Sequence, residues 1–119
     1  MTEQLNWISL GALTETSTDF TDYSKDIGIY RATLNGEVVY IGKATELNNG
    51  GFRKRLHDYT RSSSSARNYL AGELMYRHRN EIQIEIVVFN RSLESIPDIE
   101  ALETQLIREI QPIWNNQDK

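Results

Sequence analysis

Two tyrosines lie ten residues apart, each beside a glycine, in Gly28-Ile29-Tyr30 and Tyr40-Ile41-Gly42. Lys43 follows the second tripeptide at once, and a basic stretch, FRKRLHDY, runs from Phe52 to Tyr59. Glu103 stands alone far downstream, in LETQLIREIQPIWN. Two phenols, a lysine, an arginine and a carboxylate form a set suited to chemistry on a phosphodiester. Cations meet the charged phosphate, the carboxylate can hold a hard metal ion, and a hydroxyl can manage a water. A phenol, with an ordinary pKa near ~10, is a poor base at neutral pH unless nearby cations favour the phenolate. Lys43 and an arginine of the basic stretch could supply that field.

These residues need elements to hold them. The segments GIYRATL (28–34) and EVVYIGK (37–43) are rich in β-branched and aromatic residues and predict two strands. Asn35-Gly36 between them is a strong two-residue hairpin signal, since both turn residues need positive φ. Such a turn pairs Leu34 with Glu37, so facing residue numbers sum to 71. Arg31 then faces Tyr40, and Tyr30 faces Ile41. The two tyrosines are expected as diagonal neighbours on one sheet face, provided the register is regular.

The rest of the chain supplies helices and one more strand. Residues 44–51 (ATELNNGG) form a loop, and a helix is expected from 52 to about 61, with Phe52, Leu56 and Tyr59 on its buried side. The serine run at 62–65 breaks it, and residues 66–79 carry a second helical pattern. Residues 82–89 (IQIEIVVF) alternate and then turn wholly apolar, as a third strand would. A last helix is expected over 98–110, with Asp98 as N-cap and Ile99, Leu102, Leu106 and Ile110 turned inward. Pro112 must lie beyond its end. The first 27 residues are irregular, an extension packed on or beside the domain in which Leu5, Trp7, Ile8, Leu10 and Leu13 could form a short helix or strand against the core. The domain proper spans 28–116. The fold class is α/β (α+β), with a small antiparallel sheet of about three strands flanked by helices.

At 119 residues the chain makes one domain. It has no cysteine, so disulfides and thiolate metal sites are excluded, which fits a cytoplasmic protein. Neither a membrane span nor a signal peptide is expected. The net charge is −4, yet residues 50–80 hold seven Lys/Arg (Arg53, Lys54, Arg55, Arg61, Arg67, Arg77, Arg79) against Asp58 and Glu73. A basic middle on an acidic frame is an electrostatic footprint for a polyanion, because local field steers binding more than total charge does.

Taken in order, the tripeptides, RLHDY at 55–59 and the Glu103 helix with its proline and asparagine resemble the GIY-YIG nuclease family. The Glu103 segment resembles the glutamate-helix motif of the incision subunit of bacterial nucleotide excision repair. The family resemblance covers roughly residues 28–115 and implies a DNA endonuclease using Mg²⁺ (or Mn²⁺) through one metal. It implies that Glu103 is the sole protein ligand of the metal and that Arg55 binds the scissile phosphate. Tyr30 or Tyr40 would orient or deprotonate the water, with Tyr30 favoured as a phenolate and Tyr40 as its partner. Lys43 adds positive charge, Tyr59 completes the network, and Asn115 braces the site, with Gly28, Gly42 and His57 in support. His57 has the better pKa for a base, but its spacing from Arg55 turns it away from that helix face. The segment between Lys43 and Arg55 is longer than in the repair subunits, which leaves Arg53 as a rival to Arg55. DNA is the expected partner, and with no separate targeting domain a second subunit or another protein could supply specificity. A non-catalytic nucleic-acid-binding module on the same fold and a protein-interaction domain are the other readings.

Overall fold

The computed structural model describes residues 5–16, 25–47, 51–59 and 70–116. Four strands form one antiparallel sheet: β1 (Ile8–Ala12), β2 (Ile27–Leu34), β3 (Glu37–Ala44) and β4 (Gln83–Phe89), in the order β1-β4-β2-β3. The helices are α1 (Leu13–Thr16), α2 (Gly51–Asp58), α3 (Leu70–Arg77), α4 (Ser95–Ile110) and α5 (Ile113–Asn116). The fourth strand comes from the N-terminal segment, where Ile8 pairs with Ile86 and Ala12 with Gln83. About three strands were expected, with this segment left open between a short helix and a strand. Pairing with β4, not propensity, makes it a strand. No helix among the described residues is long and apolar enough to cross a membrane.

The sheet has a core on each face. On one face Tyr30, Ala32, Ile84 and Ile86 pack with Phe52, Leu56 and Tyr59 at α2, Met75 of α3 and Trp114 of α5. On the other, Ile27, Ile29, Ile41 and Val87 pack with Ile99 and Leu106 of α4. Alternation along β2 serves both cores: odd residues feed α4 and even residues feed α2. Buried on both faces, β2 is the strand that everything else packs around.

The hairpin turn forms as its sequence requires, with Asn35 at φ 55° and Gly36 at φ 84°. Leu34 faces Glu37 and Thr33 faces Val38. Then the register slips. Ala32 faces Tyr40, Arg31 faces Ile41 and Tyr30 faces Gly42, so facing numbers sum to 72 beyond a bulge at Val39. This corrects the expected register, and with it the reason the tyrosines meet. Residues directly opposite in an antiparallel pair share a face. An unbroken register would set Tyr30 beside Ile41 and turn Tyr40 to the other side. The extra residue puts Val39 and Tyr40 on one face, both against the Tyr30 core.

Helix α4 begins earlier than expected. Its first residue is Ser95, and the cap position is Glu94, which makes no side-chain cap bond. The early amides are met by backbone instead: Ser95 N–H donates to Ser92 O (3.2 Å) and Ile96 N–H to Leu93 O (3.2 Å). Pro97 fits in the first turn because it has no N–H to satisfy. Asp98 is therefore a first-turn acid facing the positive helix end, not the cap. At the far end Gln111 turns left-handed (φ 53°) and its N–H returns to Ile107 O at 2.8 Å. Ile107 packs inward there, and Ile110 is left exposed, against expectation.

Gly28 is fixed by space. A Cβ there would stand 1.9 Å from the carbonyl oxygen of Val87 on β4. That atom belongs to backbone and cannot rotate away. A Cβ at Gly36 would meet no atom beyond its chain neighbours within 4 Å, so only its positive φ constrains it. Gly28→Ala is expected to cost more than about 3 kcal/mol, and Gly36→Ala about 1 kcal/mol. Urea unfolding of the two variants measures the difference.

Candidate active site

Strand β3 is one edge of the sheet, and the candidate residues gather on both sides of it. Tyr40 points towards α2, beside Tyr30 of β2 and Tyr59 at the end of α2. The three rings form a triangle, with centroids 6.3 Å apart for Tyr30–Tyr40, 6.1 Å for Tyr30–Tyr59 and 6.4 Å for Tyr40–Tyr59. The hydroxyls of Tyr30 and Tyr59 share a hydrogen bond of 2.6 Å. Gly42 makes room for this: a Cβ there would lie 2.5 Å from both Cζ and the hydroxyl oxygen of Tyr30. The glycine that follows Tyr40 is thus the floor on which the other tyrosine lies.

Tyr30 is fully buried. Burial is the main force pushing its phenol well above the ordinary value, and the neighbouring Tyr59 and Tyr40 push the same way. Arg55 of α2 opposes them, its exposed guanidinium favouring the ionised form of the Tyr30 phenol. Tyr40 is only partly buried. The triangle therefore has a sealed corner at Tyr30 and an open one at Tyr40.

The ionic residues lie on the opposite face of β3. Lys43 points towards α4, where its Nζ is 3.4 Å from Oε1 of Glu103 and 4.0 Å from Oε2 of Glu100. Glu103 is the more sheltered of the two acids, its side chain 19% exposed against 53% for Glu100. The pair can hold one cation between them, now the lysine ammonium. Among the described residues no group of three carboxylate, imidazole or thiolate side chains is placed to hold a metal. The donor set suits a hard ion that keeps most of its waters and takes one or two carboxylates.

Asn115 joins the two sides. Its Oδ1 accepts the Ile41 N–H at 2.9 Å and its Nδ2 donates to the Ile41 carbonyl at 2.9 Å. One amide side chain thus pairs both outward polar groups of the edge peptide between Tyr40 and Gly42. Trp114, the preceding residue, stacks on His78 with ring centroids 5.4 Å apart, which seats α5 beneath the strand.

The other candidates are more scattered. Arg53 is exposed on α2. Arg77 pairs with Glu73 at 3.0 Å, and Arg79 lies over the Tyr76 ring at 4.1 Å and donates to its carbonyl. The side chains of Lys54 and His57, and Arg61 and Arg67 altogether, lie outside the described residues, as do 48–50 of the loop before α2. Glu100 was not singled out in the sequence. Its spacing of three from Glu103, which puts both on one helix face, is the signal that would have found it.

The model of the UvrC-like GIY-YIG domain matches residues 26–116. Among curated proteins none matches the sequence. Similar solved structures include the N-terminal GIY-YIG endonuclease domain of UvrC from Thermotoga maritima bound to magnesium, its catalytic divalent cation. It is 24% identical, with a TM-score of 0.52 over 76% of this chain and 84% of that one. Point mutants of the same domain align equally, one at 24% identity and TM-score 0.52 over 76% and 83%, another at 23% and 0.51 over 76% and 84%. The edge strand, the phenols on one side of it and the Lys43–Glu103 pair on the other all lie within the matched span. The chain belongs to the GIY-YIG nuclease family, in its UvrC-like branch.

Proposed function

We propose that this chain is a Mg²⁺-dependent DNA endonuclease that hydrolyses phosphodiesters by a one-metal mechanism, with Mn²⁺ as a substitute. The observation that carries this reading is the arrangement about β3: a phenol cluster reached by Arg55 on one face, and a sheltered carboxylate already holding a cation on the other. Glu103 would hold the metal, with water and phosphate oxygens completing its shell. When bound, the ion supplies Lewis-acid stabilisation of the leaving oxygen.

The chain's own residues then divide the work. Arg55 offers a planar pair of donors to the scissile phosphate and meets the charge that grows on its oxygens. Tyr40 is the hydroxyl that orients the attacking water and, when ionised, takes its proton. The expectation from sequence favoured Tyr30 for that task. Its complete burial and raised pKa favour the neutral form, so in this proposal Tyr30 and Tyr59 hold the Tyr40 ring in place. Lys43, three residues along the strand, balances the charge of Glu103. The basic 50–80 segment and the 44–51 loop contact the duplex backbone, which gives position without sequence choice. Specificity is then low, or comes from the 44–51 loop, a second subunit or another protein.

Supercoiled plasmid with Mg²⁺ tests the function. The wild type is expected to nick it and EDTA to stop it. Glu103→Ala should lose cleavage while keeping salt-dependent DNA binding; full cleavage by that variant would refute the reading. Single-turnover assays separate the phenols. Tyr40→Phe should lose about 10²-fold or more, and Tyr30→Phe about tenfold or less, since only a supporting hydrogen bond is removed.

The burial of Tyr30 also sets a pH dependence of stability. Unfolded, its phenol ionises near ~10; folded, it stays protonated to higher pH. Its contribution to stability is complete below pH ~10 and is lost as the pH climbs towards the folded value. Tyr30→Phe removes that linkage, so its urea midpoint should fall less than that of the wild type above pH ~10. Equal declines in the two proteins would contradict it.

A further inference from the structure

We infer that Glu100 is a positioning residue that receives the Lys43 ammonium when Glu103 turns to a divalent cation. The inference rests on the proposed role of Glu103. Lys43 Nζ lies 3.4 Å from Glu103 and 4.0 Å from Glu100, so it already stands between them. Glu103 is the sheltered carboxylate, and burial makes an unpaired charge costly there. The lysine meets that need while no metal is bound. It is also the direct competitor of any incoming cation, because both seek the same oxygens.

Moving the ammonium away therefore costs binding energy unless another acceptor is at hand. Glu100 supplies one. It sits three residues before Glu103, on the same face of α4, and half of its side chain is in water. A small swing of the flexible lysine stem transfers its pairing from Glu103 to Glu100 with no change in backbone. The ammonium stays next to the site in both states. The exposed acid is the weaker partner while the site is empty, since solvent screens it, and it becomes the main one when Glu103 is occupied.

Lys43 and Glu100 are thus coupled, and their coupling can be read without any cleavage assay. The probe is Mn²⁺ alone, titrated into the full chain without DNA and followed by loss of the free-ion paramagnetic resonance signal. Lys43→Met should tighten Mn²⁺ binding by removing the competitor. Glu100→Gln should weaken it about three- to fivefold while Lys43 is present, because the lysine then remains on Glu103. In the Lys43→Met background the same change should cost less than about twofold, the residue of a screened field. Equal losses in the two backgrounds would mean that Glu100 acts on the cation itself, and no loss with Lys43 present would mean that it is only solvated. Either result overturns the inference. Glu103→Gln is the control for the site. If it leaves Mn²⁺ binding unchanged, the role given to Glu103 fails as well, whereas a loss there with no coupling between Glu100 and Lys43 removes only this inference. Unchanged urea midpoints for Glu100→Gln guard against misfolding.

Discussion

One extra residue in an edge strand governs the geometry of this protein. The Asn35-Gly36 turn begins the hairpin in a register that would send Tyr30 and Tyr40 to opposite faces. The bulge at Val39 reverses that, and the phenol triangle follows from it. So does the placement of Gly42 opposite Tyr30, where a side chain would strike the ring. Lys43 is turned by the same slip to the α4 side, where Glu103 waits. A bulge usually bends a strand and raises its twist. Here it also sorts polar from ionic groups across the sheet edge.

The sorting has an electrostatic logic. Tyr30 is buried and neutral, and a charge beside it would be costly in that low-dielectric setting. Glu103 and Lys43 lie on the other side of the strand, partly in water. Arg55 is exposed on α2, and its charge acts on the Tyr30 phenol. Asn115 holds the strand between these environments by pairing the Ile41 peptide on both its polar groups. Without that amide the edge peptide would meet water at the centre of the site, or be left unsatisfied at a cost of about 1–3 kcal/mol.

Much of this was legible in the sequence, for identifiable reasons. The Asn35-Gly36 turn, the paired strands and the buried side of α2 through Phe52, Leu56 and Tyr59 depend on local pattern, and local pattern suffices for them. The register did not, because a bulge is decided by what packs on each face and leaves no mark at Val39, an ordinary strand residue. The start of α4 was misplaced because Pro97 looked like a boundary and Asp98 like a cap. Backbone carbonyls of Ser92 and Leu93 do the capping instead, and no side-chain rule registers them. β1 stayed open between a short helix and a strand, because an edge strand owes its form to its partner. Among the site residues, Asn115 beside the tripeptide strand was readable only through resemblance, and Lys43, expected to lend its charge to the phenols, pairs instead with Glu103 on the other face because the slipped register turns it there. Their partners are 74 and 60 residues away in the chain.

β1 has a consequence for how the domain can be cut. The family match begins at residue 26, yet Ile8–Ala12 covers the outer edge of β4, and Leu5 and Trp7 pack against the α4 core. A fragment trimmed to the matched span would bare the β4 ladder, whose residues Ile84, Ile86 and Val87 are apolar and β-branched. An uncovered edge of that kind invites another chain to pair with it. The N-terminal segment, which carries none of the proposed chemistry, in this sense moves the sheet's edge from an apolar strand to a short one whose register is broken between Ser9 and Gly11, a poorer template for aggregation.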